Sequence, residues 1–106
     1  MGYYDRQGQA ITAEQWAATF KDKRVDQTTV GNYWISTVWL GIDHGWDQGL
    51  PLIFETMVFV QAGGADDQKW DQWQDRYHTE AAALIGHQAV VQAIEAGMTP
   101  GEAGLG

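Results

Sequence analysis

The chain has 106 residues, no cysteine, and fourteen acidic against six basic side chains, a formal charge of −8. That length holds one ordinary domain rather than two, the missing thiols exclude disulfides and thiolate–metal centres, and a field of that sign repels phosphate backbones and so disfavours nucleic acid as a partner. No stretch approaches the ~18 uninterrupted apolar residues of a membrane span, and Met1–Arg6 has neither a basic n-region nor an apolar h-region, so a soluble, cytoplasmic protein without a signal peptide is expected.

Tyr3–Ile11 reads as a short extended segment in which Asp5-Arg6-Gln7-Gly8 forms a β-turn with glycine last. Thr12-Ala13-Glu14-Gln15 is a capping box that opens a helix over about residues 13–21, with Trp16, Ala17 and Phe20 as its apolar stripe. So short a helix needs a sheet to lean on. The basic cluster Lys21-Asp22-Lys23-Arg24 that follows reads as a solvated helix end.

From Lys23 to Val60 the apolar period changes to two. Three strands are predicted at about residues 24–30, 33–42 and 52–60, the first two closed by Gly31-Asn32, where positive φ is needed. A longer loop, Asp43–Pro51, joins the second and third strands, giving an antiparallel meander. Gln61–Asp75 is polar and at first glycine-rich, with an acidic cap before Trp70 and Trp73. Thr79 caps the last helix, about residues 80–96, with Gly97 just beyond it. Ala83, Leu84, Val90, Val91 and Ile94 cluster on that helix around His87. Gly86 weakens it by up to ~1 kcal/mol against alanine, which points to a close neighbour. Residues 1–96 therefore form one α+β domain, and the glycine-rich residues 97–106 read as a flexible tail.

Pairing the last two strands about the middle of their loop sorts the side chains. One face holds Trp34, Ser36, Val38, Leu40, Ile42, Leu52, Phe54, Thr56 and Val58; the other holds Tyr33, Ile35, Thr37, Trp39, Ile53, Glu55, Met57 and Phe59. A half-solvated sheet alternates apolar with polar, whereas both of these faces are largely apolar. The helices cover one. The other calls for the N-terminal segment, the Trp70/Trp73 region or a second chain.

No phosphate loop, nucleophile elbow, paired-histidine zinc helix or calcium loop occurs. The ionisable candidates are Asp43 and His44, with Asp47 in the same loop, and the apolar-flanked Glu55 and His87. A histidine beside a carboxylate suits general base or metal-ligand chemistry, but adjacent strand residues point to opposite sides. A buried Glu55 needs a partner, either His87 or Arg76, and a satisfied polar pair holding helix to sheet is the simpler role. If the last helix packs on the face opposite Glu55, Glu55 and His87 cannot meet. Trp39, Trp46, Trp70, Trp73 and Tyr77 are the candidate interaction residues, because Trp and Tyr dominate hot spots. The bland reading of Trp70, Trp73 and Tyr77 is an amphipathic cover for the open sheet face.

Tyr3-Tyr4-Asp5-Arg6-Gln7-Gly8, Thr28-Thr29-Val30-Gly31, Ser36–His44, Pro51–Phe59, Arg76-Tyr77, Thr79 and Gly86-His87 together resemble a group of small uncharacterised bacteriophage and actinobacterial proteins. The resemblance spans about Tyr3 to Ile94 and implies a phage accessory context, with no activity to transfer. The expected function is non-enzymatic: protein–protein contact with a host or phage partner, or in a homodimer, inhibiting or modulating a host or defence protein without cofactor or metal. The alternatives are a virion-associated structural component and a small metal-dependent hydrolase using Asp43, His44 and Glu55, with His87 as a further candidate.

Overall fold

In the computed structural model, which describes residues 2–43, 51–60, 70 and 73–105, the Asp5 carboxylate builds the first turn by accepting from the backbone N–H groups of Gln7 and Gln9 (3.0 and 2.8 Å). That turn folds β1 (Gly2–Tyr4) back on β2 (Ala10–Ile11). Both halves of the Thr12–Gln15 capping box are made, and they start α1 (Ala13–Thr19), which tightens into a 3-10 turn at Phe20–Asp22.

The main sheet is antiparallel in the order β3 (Arg24–Val30), β4 (Tyr33–Trp39), β6 (Phe54–Val60), β7 (Gln74–Tyr77). Gly31, at φ +57°, makes the tight reversal that sets Val30 opposite Tyr33. The α+β class and the meander are as the sequence predicts, but the sheet has four strands rather than three. Gln74–Tyr77 lacks an apolar alternation because it is an edge strand, where charges such as Asp75 and Arg76 face water and block further pairing.

The second strand also stops earlier than expected. Leu40 and Gly41 both donate to the Ile53 carbonyl (2.7 and 3.3 Å), and the chain leaves the sheet there. Ile42–Asp43 then forms β5, which pairs with β1 in a small sheet ordered β2-β1-β5. The departure changes the register. Trp39 pairs with Phe54 and Tyr33 with Val60, one residue away from pairing about the middle of the loop. Such a slip moves every side chain of one strand to the opposite face. The inner face therefore carries Ile35, Thr37, Trp39, Phe54, Thr56 and Val58. The outer face carries Trp34, Ser36, Val38, Glu55, Met57 and Phe59.

α2 (Glu80–Glu95), capped by the Thr79 hydroxyl, lies across all four strands on the inner face. Gly86 permits this: a Cβ there would collide with the Tyr77 ring. Two apolar clusters result. Trp39, Ile53, Phe54 and Ala83 join Trp16 and Phe20 of the N-terminal unit, while Ile35, Val58, Trp70, Val90, Val91 and Ile94 fill the other end.

Where the sequence predicts a flexible tail, the described residues 98–105 fold back in hydrogen-bonded turns. The Trp70 and Trp73 indoles donate to the carbonyls of Met98 (2.8 Å) and Leu105 (3.2 Å), and Ala103 and Leu105 pack on the second cluster. Two indole donors and two apolar side chains hold a segment whose glycines alone suggest disorder. Trp70→Ala empties the centre of that arrangement and is expected to lower the unfolding free energy by about 3–5 kcal/mol. Urea denaturation checks the value, and Trp70→Phe should lose less, since a ring still fills the site.

Candidate functional site

Sheet and helix meet through a line of polar side chains rather than through apolar contact alone. His87 is wholly buried at the middle of α2. Its Nε2 lies 2.9 Å from Thr28 Oγ1 on β3, and its Nδ1 lies 2.7 Å from Thr37 Oγ1 on β4. Thr37 in turn bonds Thr56 on β6 (2.5 Å), and Thr56 bonds the phenol of Tyr77 on β7. One polar group from each strand and one from the helix thus share a continuous seam. Paired polar groups of this kind are directional fasteners, and an unpaired one there would be costly.

The proton positions around the imidazole follow from the Asp26 end of the seam. Burial pushes the His87 pKa below its usual value, opposed in part by the Asp26 carboxylate, so the imidazole is neutral. Asp26 Oδ2 stands 3.6 Å from Nε2 and favours the tautomer with its N–H on that nitrogen. Nε2–H then donates to Thr28, Nδ1 accepts from Thr37, and Thr37 accepts from Thr56. Burial, helped by Asp75, raises the Tyr77 pKa, and the Thr56 bond works in the other direction. Both imidazole nitrogens are engaged and the ring is out of reach of solvent, so the seam is built to fasten α2 to the sheet.

Glu55 is on the other side of the sheet. It pairs in register with Arg76, Nε to Oε2 3.0 Å, and does not meet His87. Around it the outer face presents a shallow groove lined by Lys23, Gln27, Trp34, Ser36, Val38, Met57 and Phe59. The Trp34 and Phe59 rings lie 5.1 Å apart, and Phe59 is 39% exposed. At about 270 Å³ the groove falls below the ~300–1,000 Å³ of small-molecule pockets. It suits side chains of a docking surface better than a cofactor.

The sequence-derived candidates are spread across the molecule. Trp39 and Trp70 are each 1% exposed, so these two expected interaction anchors are core residues, drawn inside by the register and by the folded-back C-terminal turns. Trp73 and Tyr77 are partly buried, one against Leu105 and the other against Gly86 and Ala83. Asp43 ends β5 opposite Gly2, while His44, Trp46 and Asp47 lie outside the described residues. Among the described residues no three His, Asp or Glu side chains cluster as metal ligands do. Sequence reasoning missed Thr28 and Thr37 as His87's partners, Thr56 as the next link beyond Thr37, and Trp34 as a surface aromatic. A threonine in each of three neighbouring strands was the available signal. No protein-family model, curated protein or solved structure matches the chain.

The seam predicts a pH response. With its folded pKa below the unfolded value of about 6.5, His87 leaves the unfolded chain binding more protons as pH falls. Its stabilising contribution is complete above about pH 6.5 and is lost as pH falls through the folded value. Urea midpoints should decline as pH falls below about 6.5, and less so in His87→Gln. Thr37→Val, which strands two buried partners, should cost about 1–3 kcal/mol at neutral pH.

Proposed function

We propose that this chain is a non-enzymatic binding protein that lays the outer face of its four-stranded sheet on an apolar, acid-rimmed patch of another protein. The observation that carries this reading is the contiguous Trp34, Val38, Met57 and Phe59 surface on the side away from α2. Apolar patches rimmed by polar side chains mark interaction sites in soluble proteins, and an aromatic pair supplies contact area at little entropic cost. The sign of the partner follows from the rim. Lys23 borders the groove, Arg24 shares a face with Val38, and Arg76 pairs with Glu55. Among the described residues, three cations stand against one carboxylate here, which favours a locally positive face on a chain of charge −8. A second copy stacked here would bring like charges together, so the face suits a partner of opposite sign. The resemblance to bacteriophage accessory proteins supplies the setting, in which the partner is a host or defence protein that this chain inhibits or modulates.

The test compares immobilised wild-type protein with Trp34→Glu and Met57→Glu in host lysate, retained proteins being identified by mass spectrometry. A protein held by the wild type, lost from both variants and weakened by salt is the expected result. Identical retention on all three, with the variants folded by circular dichroism, refutes the reading.

A further inference from the structure

We propose that two copies of this chain pair, antiparallel, through the outward face of α2, about a two-fold axis passing between Gly86 and His87. The helix carries no Asp, Glu, Lys or Arg from Ala81 to Ile94. A surface helix ordinarily turns charged residues to water opposite its apolar stripe; this one turns Ala81, Leu84, Ile85, Gln88, Ala89 and Gln92. Ile85 is 72% exposed and Leu84 39%, and they border a shallow groove with Gln88, Ala89 and Gln92. The inward direction of this helix is fixed by the His87 seam, so the exposure is not a matter of free rotation.

Three features select a second copy as the occupant. Ala81, Ile85, Gln88 and Gln92 recur at spacings of four, three and four, the seam period of two packed helices. The face is self-complementary when inverted. Leu84 then opposes the partner's Ala89, Ile85 opposes the partner's Gln88, and Ala81 opposes the partner's Gln92. Each large side chain meets a small or unbranched one, and the same patch serves both copies, as a two-fold interface requires. Charge agrees. Two molecules of charge −8 approach closely only where no carboxylates face each other. Glu80 and Glu95 lie only at the ends of the seam, and Glu80 is already paired with Arg6 of its own chain (2.7 Å).

The paired length is about 16 Å at 1.5 Å per residue, which leaves the contact below the ~1,200–2,000 Å² of tight complexes. The dimer is therefore weak and concentration-dependent. Salt strengthens it by screening the net repulsion, the opposite of its effect on the sheet-face contact. This pairing does not depend on the sheet face, whose variants leave it unchanged.

Sedimentation equilibrium of the full chain tests it, with concentration raised through the micromolar range at low and high salt. The expected result is a mass rising from one chain towards two, more readily at high salt. Ile85→Glu should stay monomeric, with an unchanged circular dichroism spectrum because Ile85 stands in solvent. The double variant Ile85→Glu/Gln88→Lys should dimerise again, since each new carboxylate faces a new ammonium across the axis. A wild type that stays monomeric at every concentration and salt overturns the proposal, as does Ile85→Glu that still dimerises or a double variant that does not.

Discussion

Everything in this fold depends on the register of β4 against β6. Apolar residues stand on both sides of those strands, so hydrophobic burial hardly discriminates between two registers one residue apart. The polar side chains do. With Trp39 opposite Phe54, Thr37 meets Thr56 beneath the helix and Glu55 turns outward to Arg76. One residue of slip would carry Glu55 under α2, away from Arg76, and would leave Thr37 without Thr56. An unpaired buried carboxylate is far costlier than a misplaced methyl group. The few polar residues of the two central strands therefore choose the faces, and the many apolar ones supply the burial.

His87 extends that control to the helix. Apolar packing tolerates small rotations, whereas hydrogen bonds between the two ring nitrogens and threonines on neighbouring strands fix both the rotation of α2 and its position along the sheet. Gly86 is the steric counterpart, opening room for the Tyr77 ring that begins the seam. Once those two residues are placed, Ala83, Val90, Val91 and Ile94 must point inward. Leu84, Ile85, Gln88 and Gln92 are left to solvent by the same geometry. The outward face of the helix is thus a consequence of its inward fastening.

Local signals were legible in the sequence wherever the chemistry was local. The Thr12–Gln15 box, the Gly31 turn, the Thr79 cap and the span of α2 all depend on neighbours in the chain. The choice of Arg76 or His87 for Glu55 depends on register, which no local signal in the sequence carries. Register was misjudged by one residue because Leu40 and Gly41 sharing the Ile53 carbonyl leaves no trace in hydropathy. β7 escaped notice for a related reason, since an edge strand with Asp75 and Arg76 looks like a loop until its partner is known. The C-terminal turns are held by indoles about thirty residues away in sequence, and composition alone carries no sign of such a contact. Glycine content described the freedom of that segment and missed what restrains it.

The distribution of charge ties the two exposed surfaces together. A chain with fourteen carboxylates repels most acidic macromolecules and also itself, and the repulsion is felt over about 8–10 Å at ordinary ionic strength. Contact is favoured only where that field is locally cancelled or locally absent. Among the described residues the outer sheet face offsets it, with Lys23, Arg24 and Arg76 against Glu55 around an aromatic patch. The outer helix face lacks charge altogether between Glu80 and Glu95. These surfaces lie on opposite sides of one sheet, α2 covering the inner face and the groove opening on the outer. A pair joined through α2 would therefore present its two sheet faces outward, on opposite ends of the assembly. Such a dimer would engage two copies of a partner at once, and a modest affinity at each face would become a larger one wherever the partner is itself repeated.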